Sequence, residues 1–307
     1  MKTILCIGEL LIDFFCAEMN VNLVEATHFQ KQAGGAPANV CATIAKLGGQ
    51  AKFCGKVGND AFGAFLEKTL VEAGVNTAML VKGQSPTTLA FVSRISGGER
   101  DFIFNRGADE TLVMSEIDRQ ELNVEIAHFG SATALLSSPF YDTYMEVMHM
   151  LKKRGAFISF DPNFRADLWT GREEVYRERV AACVALADFI KMSEEEFELY
   201  GGQVPLGKWF AVTKGQEGTW ISNGEECALI PSIHIQAIDT TGAGDAFVGA
   251  MLKQFADYPT LKVFNFQHFK QLTQFSNIVG ALTCTAVGAM TALPTTEDVV
   301  LYMNNKK

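Results

Sequence analysis

The chain has 307 residues, 48% of them hydrophobic and 20% charged, enough apolar material for a substantial core and too little charge for a disordered chain. With 35 acidic against 26 basic residues the formal charge is -9, which repels phosphate backbones and removes nucleic acid from the expected partners. No run approaches the roughly 18 uninterrupted apolar residues of a membrane span, so no membrane contact is expected.

From the N-terminus, MKTILCIGELLIDFFCA has the outline of a secretory signal, but Glu9 and Asp13 interrupt the apolar stretch that such a signal needs. Ile4 to Ile7 reads instead as a buried first strand. Further short apolar runs follow at Ala51 to Phe53, Ile126 to Phe129, Ala156 to Phe160, Phe189 to Ile190 and Phe210 to Val212. Between them lie stretches of helical spacing, such as Val40, Ile44 and Leu47, then Phe62, Phe65, Leu66 and Leu70. This alternation predicts right-handed βαβ units and an α/β fold with a mostly parallel sheet covered on both faces. Ligands are then expected beyond the carboxyl ends of the strands.

Two segments break the rhythm. Residues 9–32 and 84–106 read as extended pieces, the second containing TLAFVSRISGGERDFIFNR with a Ser-Gly-Gly turn between alternating strands. Together they can form a small sheet beside the main one. A flap over an active site and a simple edge extension are both open, and exposed edges on such a sheet offer a homodimer contact.

Ala33-Gly34-Gly35-Ala36-Pro37-Ala38-Asn39-Val40 enters a helix; its glycines allow close backbone approach, and Asn39 offers a donor and an acceptor to vicinal hydroxyls or caps a turn. The most informative stretch is Ile238-Asp239-Thr240-Thr241-Gly242-Ala243-Gly244-Asp245-Ala246-Phe247. It is expected to follow a strand-like run, Ile233 to Ile238, and to open a helix whose apolar positions are Phe247, Val248, Met251, Leu252 and Phe255. Free N–H groups and the positive end of the helix dipole converge there, so the Gly242–Gly244 amides form an anion hole suited to phosphoryl transfer. Asp245, expected to be ionised, stands where it can accept the proton of an attacking hydroxyl. The alternative is a tight turn in which the aspartate only stabilises the helix start.

Other signals point nowhere. The seven cysteines are scattered without CxxC spacing, as expected of reduced thiols in a cytoplasmic protein, and the five histidines show no ligand pattern. Gly202 to Lys208 reads GxxxxGK, but Trp209 replaces the Ser/Thr of a P-loop, Pro205 interrupts it and no long helix follows.

The two Gly-rich segments together resemble the signature motifs of the ribokinase-like (PfkB) carbohydrate kinases. The resemblance extends through Gly8-Glu9 and Asp13, Gly58-Asn59-Asp60 with Phe62-Gly63, Val212-Thr213-Lys214-Gly215, and Gly288-Ala289 with Pro294. Gly98-Glu99-Arg100, Phe102, Phe104, Arg106, Ala108-Asp109, His128-Phe129-Gly130-Ser131, and Ser159-Phe160-Asp161-Pro162-Asn163-Phe164-Arg165 with Leu168-Trp169 are most similar to the fructokinases. The resemblance implies one kinase domain over residues 1–307, a three-layer α/β/α ribokinase-like fold with a small β-sheet lid, and MgATP-dependent phosphorylation of a sugar. Fructose is the sugar it favours, with a 2-keto-3-deoxygluconate or riboside kinase as the alternative. A catalytically idle sugar or nucleotide sensor on the same fold has no need of Asp245 or Arg165. A dinucleotide-dependent oxidoreductase lacks its early GxGxxG.

The resemblance also implies roles. Asp13, Gly34, Gly35, Asn39, Phe104 and Arg106 would face the sugar, with Arg165 near both sugar and transferred phosphate. Lys191, Thr213, Lys214, Gly215 and Asn277 would face the nucleotide, beside Gly242, Ala243 and Gly244. Glu196 would organise Mg²⁺ through water, although Ser193 stands where the family often has Asn. Asp239, Thr241, Val287 and Gly288 would form a monovalent-cation (K⁺) loop. Residues 201–209 are shorter than in relatives, which implies a lost helix.

Overall fold

A computed structural model describes residues 2–18, 20–94, 100–258 and 264–305. The chain opens with β1 (Thr3–Ile7), leaves the main sheet for β2 (Leu11–Cys16) and β3 (Phe29–Gly34), and returns through α1 (Ala36–Lys46), β4 (Gln50–Gly58), α2 (Ala61–Glu72) and β5 (Asn76–Gly83). A second excursion, β6 (Leu89–Arg94) and β7 (Arg100–Asn105), precedes β8 (Ile126–Gly130), α3 (Phe140–Lys153), β9 (Phe157–Asp161), α4 (Ala166–Trp169), α5 (Glu173–Leu186), β10 (Phe189–Ser193), α6 (Glu194–Tyr200) and β11 (Trp209–Thr213). The strands β12 (Thr219–Ser222) and β13 (Cys227–Ile230) and the helices α7 (Ala243–Asp257), α8 (Phe266–Thr283) and α9 (Thr296–Asn305) follow.

Nine strands form the main sheet in the order β13-β12-β11-β10-β9-β8-β1-β4-β5. It is parallel from β5 to β11 and turns antiparallel at β12 and β13. Its inner strands are buried on both faces, so alternate residues enter two different cores. Leu5 and Ile7 of β1 join Phe129, Ile158 and Phe160 against α3 and α5, whereas Ile4 and Cys6 pack with Val40, Phe247 and Phe269 of α1, α7 and α8. The result is three layers, with helices on both faces of one sheet.

The two excursions form a separate four-stranded sheet in the order β3-β2-β6-β7. Phe14 stacks on Phe91 at 5.2 Å and meets Phe62 of α2 edge-on at 5.7 Å, so the back of this sheet leans on α2. Its base is fixed by Asp60. One carboxylate oxygen caps α2 through the Gly63 amide at 2.8 Å and accepts the Thr87 hydroxyl at 2.7 Å, while the other accepts the Thr87 amide at 2.8 Å. The expected Ser-Gly-Gly turn at residues 96–98, with Gly98 and Glu99, lies outside the described residues.

One expected element is absent. Residues 233–238 form no strand, because β13 has no further partner on its outer side and the chain leaves the sheet to cross the end of α8. The Ile238 amide donates to the Cys284 carbonyl at 2.8 Å, and the Ile238 side chain is exposed. Residues 201–208 connect α6 to β11 without a helix. Lys208 donates to the Ala185 carbonyl at 2.9 Å.

Candidate active site

The carboxyl ends of β1, β8, β9, β10 and β11 and the N-terminus of α7 open onto two adjoining cavities. One, of about 450 Å³, is polar at its floor, with Glu9, Asp13, Asn39, Arg165, Lys191 and Asp245. Its roof is supplied by the small sheet through Phe15, Val92, Phe102 and Phe104. The other, of about 230 Å³, is lined by Thr213, Gly215, Gln216, Ile233, Ile235, Ala243, Phe247, Asn277 and Gly280. Thr240 and Gly244 line both, so the cavities meet at the first turn of α7.

That turn has the geometry its sequence foreshadows. Gly242 caps α7 with φ 78°, a left-handed conformation that favours glycine, and a side chain there would also meet Ala289. A Cβ on Gly244 would stand 3.1 Å from the Lys191 ammonium, so the lysine occupies the space that glycine leaves. The amides at the head of a 15-residue helix thus face the junction of the cavities with a cation beside them. The 3.0 Å ion pair with Asp161 fixes Lys191, and although burial opposes its charge, Asp161, Glu196 and Asp245 hold its pKa above the ordinary range.

Asp245 lies at the junction itself. Its Oδ2 accepts from the Asn39 amide at 2.8 Å, which ties the head of α7 to the Gly-rich entry of α1. The expectation that it is simply ionised is corrected: burial pushes its carboxyl up to about 7, the Asn39 bond pulls it back, Asp161 raises it, and Lys191 and Arg165 lower it. Asp13, across the same cavity, is likewise pushed up to about 7 by burial, against the pull of Arg165. Both carboxyls therefore change charge near neutrality, where a base is effective.

Gly34 and Gly35 hold the backbone at the entry of α1. A side chain on Gly34 would collide with the Asp13 carboxylate, and Gly35, at φ 108°, passes against the Glu9 main chain. Glu9 itself is buried and joins this entry to the end of β8. Its Oε1 accepts the amides of Ala36 and Ala132, each at 3.3 Å, and its Oε2 accepts the Ser131 hydroxyl.

Several expected site residues take other positions. Arg106 does not line the polar cavity: it donates to Asp109 at 3.2 Å and to Ser137 at 3.0 Å, because the buried Asp109 carboxylate claims it. Lys214 pairs with Glu194 and lies off the smaller cavity that its neighbours Thr213 and Gly215 line. Asn277 lines that cavity, but its amide is committed, accepting from Thr219 at 2.6 Å and donating to the Ile230 carbonyl at 2.9 Å. Glu196 reaches the polar cavity with both oxygens engaged, by the Phe164 and Ser193 amides at 2.6 Å each. The Ser193 hydroxyl oxygen in turn accepts the Glu196 amide at 3.2 Å, so the pair is a capping box for α6.

Asp239, Thr241 and Gly288 are brought together. One Asp239 oxygen accepts the Thr241 amide at 3.1 Å and hydroxyl at 2.7 Å; the other accepts the Gly288 amide at 3.1 Å. The Val287 side chain is exposed and its carbonyl accepts from Thr291 at 2.9 Å. Among the described residues no group of three or more His, Cys, Asp or Glu could hold a metal ion, and no helix is long and apolar enough to cross a membrane. Sequence reasoning misses Phe15, Phe102 and Glu9 as cavity residues; the i, i+2 pairing of Phe102 with Phe104 on one strand is the available signal.

Residues 1–296 match the family described as pfkB family carbohydrate kinase. The chain is 36% identical to a protein named fructokinase-1 of Oryza sativa subsp. japonica, over 99% of this chain and 98% of that one. Among solved structures, a fructokinase with bound ATP from Xylella fastidiosa superimposes with a TM-score of 0.88 at 32% identity, covering 99% of both chains. A fructokinase from Vibrio cholerae in a form bound to fructose, ADP and calcium ion gives 0.84 at 29% identity, over 98% of this chain and 99% of the other.

Proposed function

The chain belongs to the pfkB family of carbohydrate kinases, with the ribokinase-like fold, and is a phosphotransferase acting on a sugar hydroxyl; within that family we propose that its sugar is fructose and its product fructose 6-phosphate. The observation that carries this reading is the junction at Gly244, where a polar cavity with Asp13, Asn39 and Asp245 meets a more apolar cavity under the α7 amides. The polar cavity takes the sugar and the other takes the adenosine of ATP, so the γ-phosphate lies over the helix N-terminus.

In this arrangement Asp245 accepts the proton of the sugar hydroxyl as its oxygen attacks the γ-phosphorus and the bond to the ADP oxygen breaks. The Gly242–Gly244 amides, Lys191 and Arg165 stabilise the charge on the phosphoryl in passage. Mg²⁺, when bound with ATP, supplies further charge neutralisation. Glu195 and Glu196 line the same cavity, and because the Glu196 oxygens already accept two amides it would serve the ion through water. The buried Asp239 carboxylate, gathered with Thr241 and the 287–288 backbone, is where we place a monovalent cation such as K⁺. The small sheet would act as a lid that excludes water, preventing idle hydrolysis of ATP, and its outer strands β3 and β7 are where we place a homodimer contact.

Fructose rather than a sugar acid is favoured because Arg106 is held by Asp109, while Asp13 faces the cavity with a carboxyl that would repel an acid group. A coupled assay of ATP consumption against fructose, ribose, ketodeoxygluconate and nucleosides tests the reading. Fructose is expected to give the highest kcat/KM; a higher value for ketodeoxygluconate or a nucleoside contradicts the assignment.

A further inference from the structure

Asn163 follows β9 by two residues in the run Asp161-Pro162-Asn163-Phe164-Arg165, and its backbone has φ 47°. A left-handed conformation is uncommon outside glycine, although asparagine tolerates it. The turn aims the Asn163 amide N–H at Asp161 Oδ1, 3.2 Å away, and the Phe164 amide at Glu196. The side chain is buried, 7% exposed, yet lines the polar cavity. Its Nδ2 has no hydrogen-bond partner among the described residues. A buried amide left unsatisfied destabilises the fold, and such groups gather where a ligand completes them.

The position indicates which ligand. β9 lies between β8 and β10, and Asp161, at its end, pairs with Lys191, which in turn stands against Gly244. Lys191 and Arg165 are the two cationic side chains on the described cavity wall, and Asn163 shares their side of it. We propose that the Asn163 side-chain amide is a catalytic hydrogen-bond donor to the phosphoryl group in transfer, a neutral donor set beside the two cations. Its left-handed backbone holds the side chain at the cavity wall, and the Nδ2 donor, closed off from solvent, needs only to turn about its own side-chain torsion to meet the phosphoryl. The inference rests on the kinase reading above but not on the identity of the sugar.

The test uses Asn163→Gly, which keeps the left-handed backbone at no steric cost and removes only the amide, and Asn163→Asp, which tolerates the same backbone but replaces the donor by an acceptor. Each is assayed with whichever sugar the wild-type protein phosphorylates fastest, so that a wrong sugar assignment leaves this test intact. Asn163→Gly is expected to lose about 10- to 100-fold in kcat with little change in the KM for sugar, as for removal of one donor to a charged group, and Asn163→Asp more. Independently of turnover, calorimetry should show weakened binding of the complex of ADP, Mg²⁺, aluminium fluoride and sugar to both variants, with ADP alone bound as by wild type. Should one variant not fold, the other decides. Wild-type kcat and wild-type binding of the aluminium fluoride complex in a folded variant would overturn the proposal in favour of a purely backbone role. A raised sugar KM with unchanged kcat would overturn it in favour of a sugar contact.

Discussion

On the proposed reading Asp245 is the residue on which the chemistry turns, and its environment sets opposing demands on stability and activity. A carboxyl raised to about 7 holds a proton in the folded protein between the ordinary carboxylate range and neutrality, where the unfolded chain has already released it. Its contribution therefore makes stability fall as pH rises through that window. Activity runs the other way, since a protonated Asp245 cannot accept the hydroxyl proton. The kcat/KM for sugar should thus rise with pH through about 7, with Asp13, also near 7, broadening the limb as a coupled group. Asn39→Leu removes the 2.8 Å donor that favours the charged form, so the acid limb of kcat should move to higher pH; a pH profile that stays in place contradicts the coupling. Asp245→Asn should lose at least about 10²-fold in kcat while sugar and ATP still bind. The same variant should melt higher than wild type at pH 8, because it no longer buries a carboxylate; a lower melting temperature would contradict the direction of this linkage.

At the scale of the element, the head of α7 and the base of the small sheet matter most. Gly244→Val would drive a branched side chain into the Lys191 ammonium, displacing the cation and narrowing the passage between the cavities. A folded Gly244→Val protein is expected to lose most of its turnover, and full activity would remove the anion-hole reading. Asp60→Ala loses the α2 cap and both Thr87 bonds, so thermal unfolding should show a loss of about 1–2 kcal/mol, near the upper end for a cap. These two elements differ in how far their sequence betrays them. The α7 turn is legible because Gly-Ala-Gly-Asp is followed at once by helical periodicity, and the main strands because both-face burial produces unbroken apolar runs. Residues 233–238 look the same in sequence, but a strand needs a neighbour, and pairing at the outer edge of β13 is a property of the whole sheet. Ser193-x-x-Glu196 has the spacing of a capping box, a local signal that the family resemblance at the same residues hides. The position of Lys214 is not legible, since Glu194 captures it from twenty residues away, and that of Arg106 only in part, since Asp109 stands three residues on but Ser137 is brought to it by the fold.

At the scale of the molecule, the proposed reading puts the sugar at the ends of β1, β8, β9 and β10, whose residues line the polar cavity, and the nucleotide at the end of β11, with the head of α7 between them. The division places Arg106 outside the transaction: Arg106→Ala should leave the ratio of kcat/KM for fructose over ketodeoxygluconate unchanged, and a selective loss of an acid substrate would return that arginine to the site. It also makes ATP consumption dependent on an acceptor, because the phosphoryl has no partner until the polar cavity is filled. The most direct measurement is phosphorus NMR of a mixture of the protein, MgATP and fructose, beside a control without sugar. One ADP for each fructose 6-phosphate formed and negligible ADP in the control are expected of a fructose kinase whose lid excludes water; ADP released equally in both, or no sugar ester, would contradict it.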